Sequence, residues 1–385
     1  MSEPKIYYIN VESPDWKINP NIPLHVKRKN FYTKEQIFFS VSMGCQAVNR
    51  LGDNNKLPRS FRAIQNYDSS WNKSYFDVCT ETAENLWKLD KPIKVAWSGG
   101  IDSTIVAVAM LLTKPDSASL NFIYTNHSIE EYPLFYEKYI KSYDKPVERK
   151  EIFSLLNSYT DSIIVTGEAG DQTFGSDWVL NMSMEENFQP WENILSWDEE
   201  KWNSKRKFNS QGEVLVNKFA VNLSGLGTKA EREETLYNFI KKCPVLNPTI
   251  NDYFWWASFV NKYDWVTKRL HILHAQSPDV GKKFKSFFDN SEMDMWSMSY
   301  RAKGVRLKKI EDYKRTGKEF IYNFTKDADY RDNKIKAKSL PNISDETDAI
   351  RHPNSLKLIL NDGRFWRNKD SFSGKDVEML RKLLA

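Results

Sequence analysis

Lys94-Val95-Ala96-Trp97-Ser98-Gly99-Gly100-Ile101-Asp102-Ser103-Thr104-Ile105-Val106-Ala107-Val108-Ala109-Met110-Leu111-Leu112 is the stretch around which the chain is organised. Ile93 to Trp97 reads as a short buried strand, the two glycines as a turn, and the Ala-, Met- and Leu-containing run that follows as a helix. A strand, a glycine turn and a helix in this order bring backbone N–H groups close to an anion, at the positive end of the helix dipole. Ser98 and Ser103 add hydroxyl donors. Asp102 sets a carboxylate beside that anion, an unfavourable pairing unless a divalent cation lies between them. The residues therefore fit a magnesium nucleotide better than a bare anion. Two glycines alone would fit equally well a turn with no ligand.

Ser-Gly-Gly-Ile-Asp-Ser (98–103) resembles the signature of the PP-loop ATP pyrophosphatases. Members of that class hold the departing pyrophosphate of ATP in this turn. It is not a Walker loop, since no Gly-Lys-Ser or Gly-Lys-Thr follows. The resemblance implies an α/β fold: an open parallel sheet with flanking helices, Rossmann-like, with a small N-terminal region and a mainly helical C-terminal part.

A second stretch has the same form. Ser162 to Thr166 reads as a buried β-branched strand running into Gly167-Glu168-Ala169-Gly170-Asp171-Gln172-Thr173-Phe174-Gly175. Loops at the carboxyl ends of strands in an open parallel sheet are where ligands bind, so two acidic loops at one edge can share a metal or flank one reacting centre. This string resembles the Gly-Glu-Gly-x-Asp-Glu-Leu-Phe-Gly loop of the synthetase domain of asparagine synthetases and β-lactam synthetase. Lys88 to Pro92 is similar to the entry to that domain. Gln172, Thr173 and Ser176 depart from the family pattern, while Glu168 and Asp171 keep it.

The resemblance implies an ATP-dependent, AMP- and pyrophosphate-forming amide synthetase. Its substrates would be a small-molecule carboxylate and an amine or ammonia, with ATP and Mg2+ as cofactors. Ser98, Gly99, Gly100, Ile101, Ser103 and Gly167 would cradle the nucleotide, and Asp102 and Asp171 would hold magnesium. Glu168 would position or deprotonate the amine. Phe287 to Asn290, Met293 to Trp296, Phe320 to Asn323 and Tyr330 to Lys336 are similar, more faintly, to later parts of the same domain, where the family supplies a catalytic lysine. Lys334 is the first candidate and Lys336 the second; a solvated lysine is the plain alternative in this Lys-rich stretch.

Leu120 to Tyr124 reads as a further strand, and Thr125 at its end either touches the nucleoside or belongs to an ordinary loop. Shorter signals predict a strand over 6–11, a helix over 74–88, helical residues over 131–142, a strand over 146–152 and a helix over 153–158. The resulting division is 1–73, of no assigned role; 74–180, the nucleotide-binding core; 181–340, mainly helical; and 341–385, a polar linker and terminal helix.

Composition narrows the classes. The 385 residues suffice for two domains. Glycine numbers 15, where average usage of about 7% would give roughly 27, and five of the 15 fall in the two loops. A net charge of +5 spread along the chain is no nucleic-acid footprint, and the basic cluster from Arg301 to Lys318 reads as a solvated helix face. The Trp-rich segment beyond residue 178 reads as core. His271 and His274, three apart, lack an evident third metal ligand.

Three dispersed cysteines point to a reducing compartment, and no apolar run reaches the roughly 18 residues of a membrane span. A cytoplasmic location is expected, with no membrane partner. Asparagine synthetases of this type carry a glutaminase whose cysteine lies at the extreme amino terminus; here Ser2 stands there. Ammonia or an amine is thus expected to enter directly or from a separate supplying partner. The alternatives are a PP-loop enzyme that adenylates an RNA or nucleotide base, and a non-catalytic nucleotide-binding descendant. Sulfur transfer is disfavoured by the lack of a cysteine pair.

Overall fold

The computed structural model describes residues 7–12, 64–143, 146, 161–175, 182–196, 237–262, 283–305, 309–334, 355–360 and 365–367. In chain order the strands are β1 (Tyr7–Glu12), β2 (Ile93–Ala96), β3 (Leu120–Ile123), β4 (Ile163–Thr166), β5 (Phe284–Ser286), β6 (Ser355–Leu360) and β7 (Phe365–Arg367). The helices used below are α1 (Tyr75–Trp87), α2 (Ile101–Leu112), α3 (Asn126–Glu131), α4 (Gly170–Phe174), α5 (Ile250–Ala257), α6 (Ser291–Ala302), α7 (Arg315–Thr325) and α8 (Ala328–Asn333). The chain divides into two compact units, each assembled from separated segments: Gln65–Phe174 with Val266–Ser344, and Met1–Ile64 with Gly175–Trp265 and Asp345–Ala385.

The first of these is an α/β unit with a four-stranded, all-parallel sheet in the order β3-β2-β4-β5. β2 lies inside the sheet, so Ile93 and Val95 are buried, and β4 is buried along its whole length. Near-continuous apolar strands of this kind belong to parallel sheets covered by helices. α1 begins where the Ser74 hydroxyl accepts the Asp77 N–H at 3.1 Å, and it buries Tyr75, Val78, Cys79 and Ala83 on one face.

α2 is richer in β-branched residues than a solvent helix tolerates. It forms because residues 101 and 103–110 are buried, and burial of each full-sized apolar side chain stabilises by about 1.5–3 kcal/mol, well above the propensity cost. Trp97 closes the join between β2 and α2. Its ring sits by Tyr124 and Phe135, and its indole N–H donates to Thr104 Oγ1 at 3.1 Å.

β5, the fourth strand, escapes sequence reading because three residues are too few for an alternation to register. The expected helical run over 131–142 is a short α-helical stretch at Pro133–Phe135 continuing as a π-helix at Tyr136–Ile140. Of the strand and helix predicted between 146 and 158, only Pro146 lies among the described residues.

The second unit holds an antiparallel sheet in the order β1-β6-β7. β1 falls within one residue of its predicted span. Residues 341–385, however, are not simply linker and helix, since they contribute β6 and β7. Ser-Leu-Lys-Leu-Ile-Leu and Phe-Trp-Arg carry strand-forming residues on either side of Asn361-Asp362-Gly363, a hairpin-turn composition. The predicted terminal helix lies outside the described residues.

In the same unit, α5 starts from a reciprocal cap between Thr249 and Asp252. It buries Trp255 and Trp256, while Tyr253 stacks on Trp191 at 5.9 Å. These tryptophans are core, as expected. Trp197, Trp202, Trp265, His271 and His274 lie outside the described residues.

Candidate functional site

The glycine turn follows β2 directly. Gly99 adopts φ +78, a conformation that favours glycine, and a Cβ there would lie 2.7 Å from the Glu131 Cβ and closer still to the Ser128 carbonyl oxygen. The turn is bound together locally. The Ser98 N–H donates to Ser103 Oγ at 3.0 Å, the two hydroxyls lie 2.9 Å apart, and Ser103 Oγ donates to the Gly100 carbonyl at 3.1 Å. The Thr104 N–H reaches the Gly100 carbonyl at 3.0 Å as the first bond of α2. The amides of the helix's first turn therefore stand at the carboxyl edge of the sheet, where an anion is favoured.

The second loop lies against the first. A Cβ on Gly167 would fall 2.8 Å from the Ser103 amide nitrogen, and one on Gly170 would strike the Asp102 carboxylate. Only glycine permits that approach. Ala169, between them, holds φ +68, a conformation costing a non-glycine residue about 1 kcal/mol or more, which its surroundings must offset. Those surroundings are specific. Ser286 Oγ on β5 donates to the Glu168 carbonyl at 2.6 Å, Ser297 Oγ on α6 donates to the Thr173 carbonyl at 2.6 Å, and Arg301 Nη2 donates to the Phe174 carbonyl at 2.7 Å. The last two satisfy carbonyls at the end of α4, which would otherwise be buried without partners. Glu168, two residues past β4, is itself half-buried.

Asp102 and Asp171 converge on one ammonium group, that of Lys314. Its Nζ is 2.5 Å from Asp102 Oδ2 and 2.6 Å from Asp171 Oδ1, and the Tyr313 hydroxyl donates to Asp171 Oδ1 at 3.0 Å. The Lys314 side chain is 1% exposed, whereas each carboxylate retains 22%. Lys314 stands at the start of α7 with φ 59, the left-handed conformation again.

Sequence reasoning missed this residue. It lies within the basic cluster read as a solvated helix face, and that reading is corrected at three positions: Arg301, Lys314 and Lys318 are buried, each against carbonyl or carboxylate oxygens, whereas Lys303 and Lys309 are exposed. The one available signal was Tyr313-Lys314 preceding an amphipathic helix whose apolar stripe also contains Lys318.

Lys334, the lysine singled out by resemblance, stands at the other side of the turn. Its Nζ is 2.5 Å from Glu131 Oε1 and 3.2 Å from the Glu131 carbonyl, and Glu131 is the residue packed against Gly99. A stack of Tyr132 on Tyr330, 4.0 Å between centroids, fixes its helix end. Lys318, with no exposed surface, donates to the carbonyls of Glu311 and Lys334 and so ties α7 to the Lys334 segment. Burial, with Arg315 adding to it, pulls the Lys318 ammonium down to about 8. Lys336 lies outside the described residues.

Thr125 is engaged in a reciprocal cap with Ser128 at the start of α3, and Ile101 is buried in the first turn of α2. The structure thus gathers Ser98, Gly99, Gly100, Asp102, Ser103, Gly167 and Asp171 at one place, with Lys314 added.

Two carboxylates that already share a cation have the donor chemistry and convergence to share a divalent ion, although no group of three or more metal-ligating side chains occurs among the described residues. Magnesium usually takes one or two carboxylates, the remaining ligands being water and phosphate, so a pair is sufficient. Among the described residues no helix is long and apolar enough to cross a membrane. No family model, no curated protein and no solved structure matches the chain.

Proposed function

We propose that this protein is an ATP-dependent, adenylate-forming ligase of the PP-loop type, which activates a small carboxylate as its acyl-adenylate for attack by an amine or ammonia. The observation that supports the reading is the packing of Gly167 and Gly170 against Ser103 and Asp102, which brings two distant acidic loops into contact at the carboxyl edge of a parallel sheet.

In this reading the Ser98–Ser103 turn binds the β- and γ-phosphates of ATP through amides and hydroxyls, leaving the α-phosphorus open to a substrate carboxylate. Its attack releases pyrophosphate into the same turn, and the amine then displaces AMP to form the amide. Phosphoryl-group chemistry of this kind needs chiefly positioning and charge neutralisation. Magnesium, held by Asp102 and Asp171, would neutralise the polyphosphate. Lys334, released from Glu131, would reach charge developing on the α-phosphate from the Gly99 side. Glu168, on the rim of the second loop, would hold the amine and accept its proton.

Incubation with ATP, magnesium and a panel of carboxylic acids and amines, followed by phosphorus NMR, tests this reading. AMP and pyrophosphate are expected with the stimulating acid, and Glu168→Gln should slow amide formation more than adenylation. ADP and orthophosphate as products would contradict the reading. Binding of ATP without turnover across the panel would favour a nucleotide-binding module instead, a reading to which the partial neutralisation of Asp102 and Asp171 by Lys314 lends support.

A further inference from the structure

We infer that Lys314 is a built-in counter-ion that competes with free divalent metal for Asp102 and Asp171, so that the site accepts a metal–polyphosphate unit rather than metal first. The inference rests on the nucleotide-site reading for its consequence, but the competition itself stands on geometry alone. One ammonium, nearly without exposure, touches Asp102 through both of its carboxylate oxygens and Asp171 through Oδ1, while each carboxylate side chain keeps 22% of its surface exposed.

The charge balance gives the consequence. Two carboxylates and one ammonium sum to −1, which attracts a free divalent ion weakly, because the ammonium repels it from a few ångströms away. An ammonium bound in this way also holds the two carboxylates together in the absence of ligand, so the cradle is organised before the nucleotide arrives. With a divalent ion added and the ammonium retained, the same group sums to +1, suited to a polyphosphate and not to an empty site. Lys314 also holds a left-handed backbone, φ 59, a conformation that a non-glycine residue keeps only where its surroundings over-determine it.

The test uses metal without nucleotide. Mn2+ binding to the full chain is measured by calorimetry and by water-proton relaxation for wild type, Lys314→Arg and Lys314→Met, with the melting temperature followed as Mg2+ is raised. Wild type and Lys314→Arg are expected to bind Mn2+ weakly. Lys314→Met should bind it at least about tenfold more tightly, since a nearby positive charge has gone, and should gain more melting temperature from Mg2+. Adding Asp171→Asn to Lys314→Met should remove the gain. Should Lys314→Met fold only with metal, recovery of its circular dichroism in millimolar Mg2+ is the equivalent supporting result.

Equal or weaker Mn2+ binding by a folded Lys314→Met, or no recovery of an unfolded one at any Mg2+ concentration, would overturn the inference. A parallel titration with Mg–ATP separates the two readings. Loss of nucleotide binding in wild type would sink the functional proposal while leaving the metal competition intact.

Discussion

The glycine turn and the Tyr313–Lys334 segment come together by opposite means. The turn gathers its amides and hydroxyls within six residues, Ser98 to Ser103, and its shape is set by bonds among those residues and by the absence of a side chain at Gly99. The later segment contributes charge instead. Lys314 and Lys334 stand at helix ends, one before α7 and one after α8, and each pairs with a carboxylate more than 200 positions earlier in the chain. A local device of this kind fails when a Cβ is added, and a distant one when a charge is removed. The two halves should therefore respond to different perturbations.

The largest effect is expected at Lys314. Lys314→Met leaves two carboxylates beside each other without their shared cation, and removing one partner of a buried ion group costs about 3–5 kcal/mol. Urea unfolding in metal-free buffer should show that loss, with Lys314→Arg recovering most of it. Next is Gly99→Ala, which places a Cβ against the Ser128 carbonyl at positive φ and should cost about 1–3 kcal/mol, insensitive to salt and metal. If Mg2+ rescued Gly99→Ala as well as Lys314→Met, the contrast between the two halves would collapse.

Lys318 sharpens the comparison through pH. Its ammonium titrates near 8 in the folded protein and near 10.5 when unfolded, so between these values the unfolded chain binds more protons and stability rises with pH. Wild type measured against Lys318→Met across pH 7.5–10.5 should display that rise as a difference between their stabilities; a flat difference would remove Lys318 from the ionisable framework. The smallest effect belongs to Asp332. The Arg331 guanidinium beside it holds its carboxyl down to about 2, so its contribution is present above pH 4 and fades as the pH falls through 3.8 towards 2. Because this pair is exposed, Asp332→Asn should leave the neutral-pH midpoint almost unmoved and should alter only the acid limb of the unfolding curve.

The same contrast explains what the sequence disclosed. β2, β3, β4, α2 and both loops were legible, because β-branched strands running into glycine strings write their conformation into adjacent residues. The closeness of Asp102 and Asp171 followed from placing both loops at one sheet edge. Lys314 was illegible, because a lysine in a run of lysines carries no mark of burial, and its partners are set by how α7 lies on α2. β5 was too short to show a period. β6 and β7 were passed over because their short apolar runs lie within an otherwise polar stretch, 341–385, that reads as linker.

The central claim is that the two acidic loops form a single polyphosphate site, and calorimetric titration of Mg–pyrophosphate tests it without knowledge of the acid or the amine. The account predicts one saturable site per chain that competes with Mg–ATP, and that is lost both in Ser98→Ala/Ser103→Ala and, separately, in Asp171→Asn, with circular dichroism unchanged. Binding that survives either variant, or no competition with ATP, would show that the two loops do not act as one site.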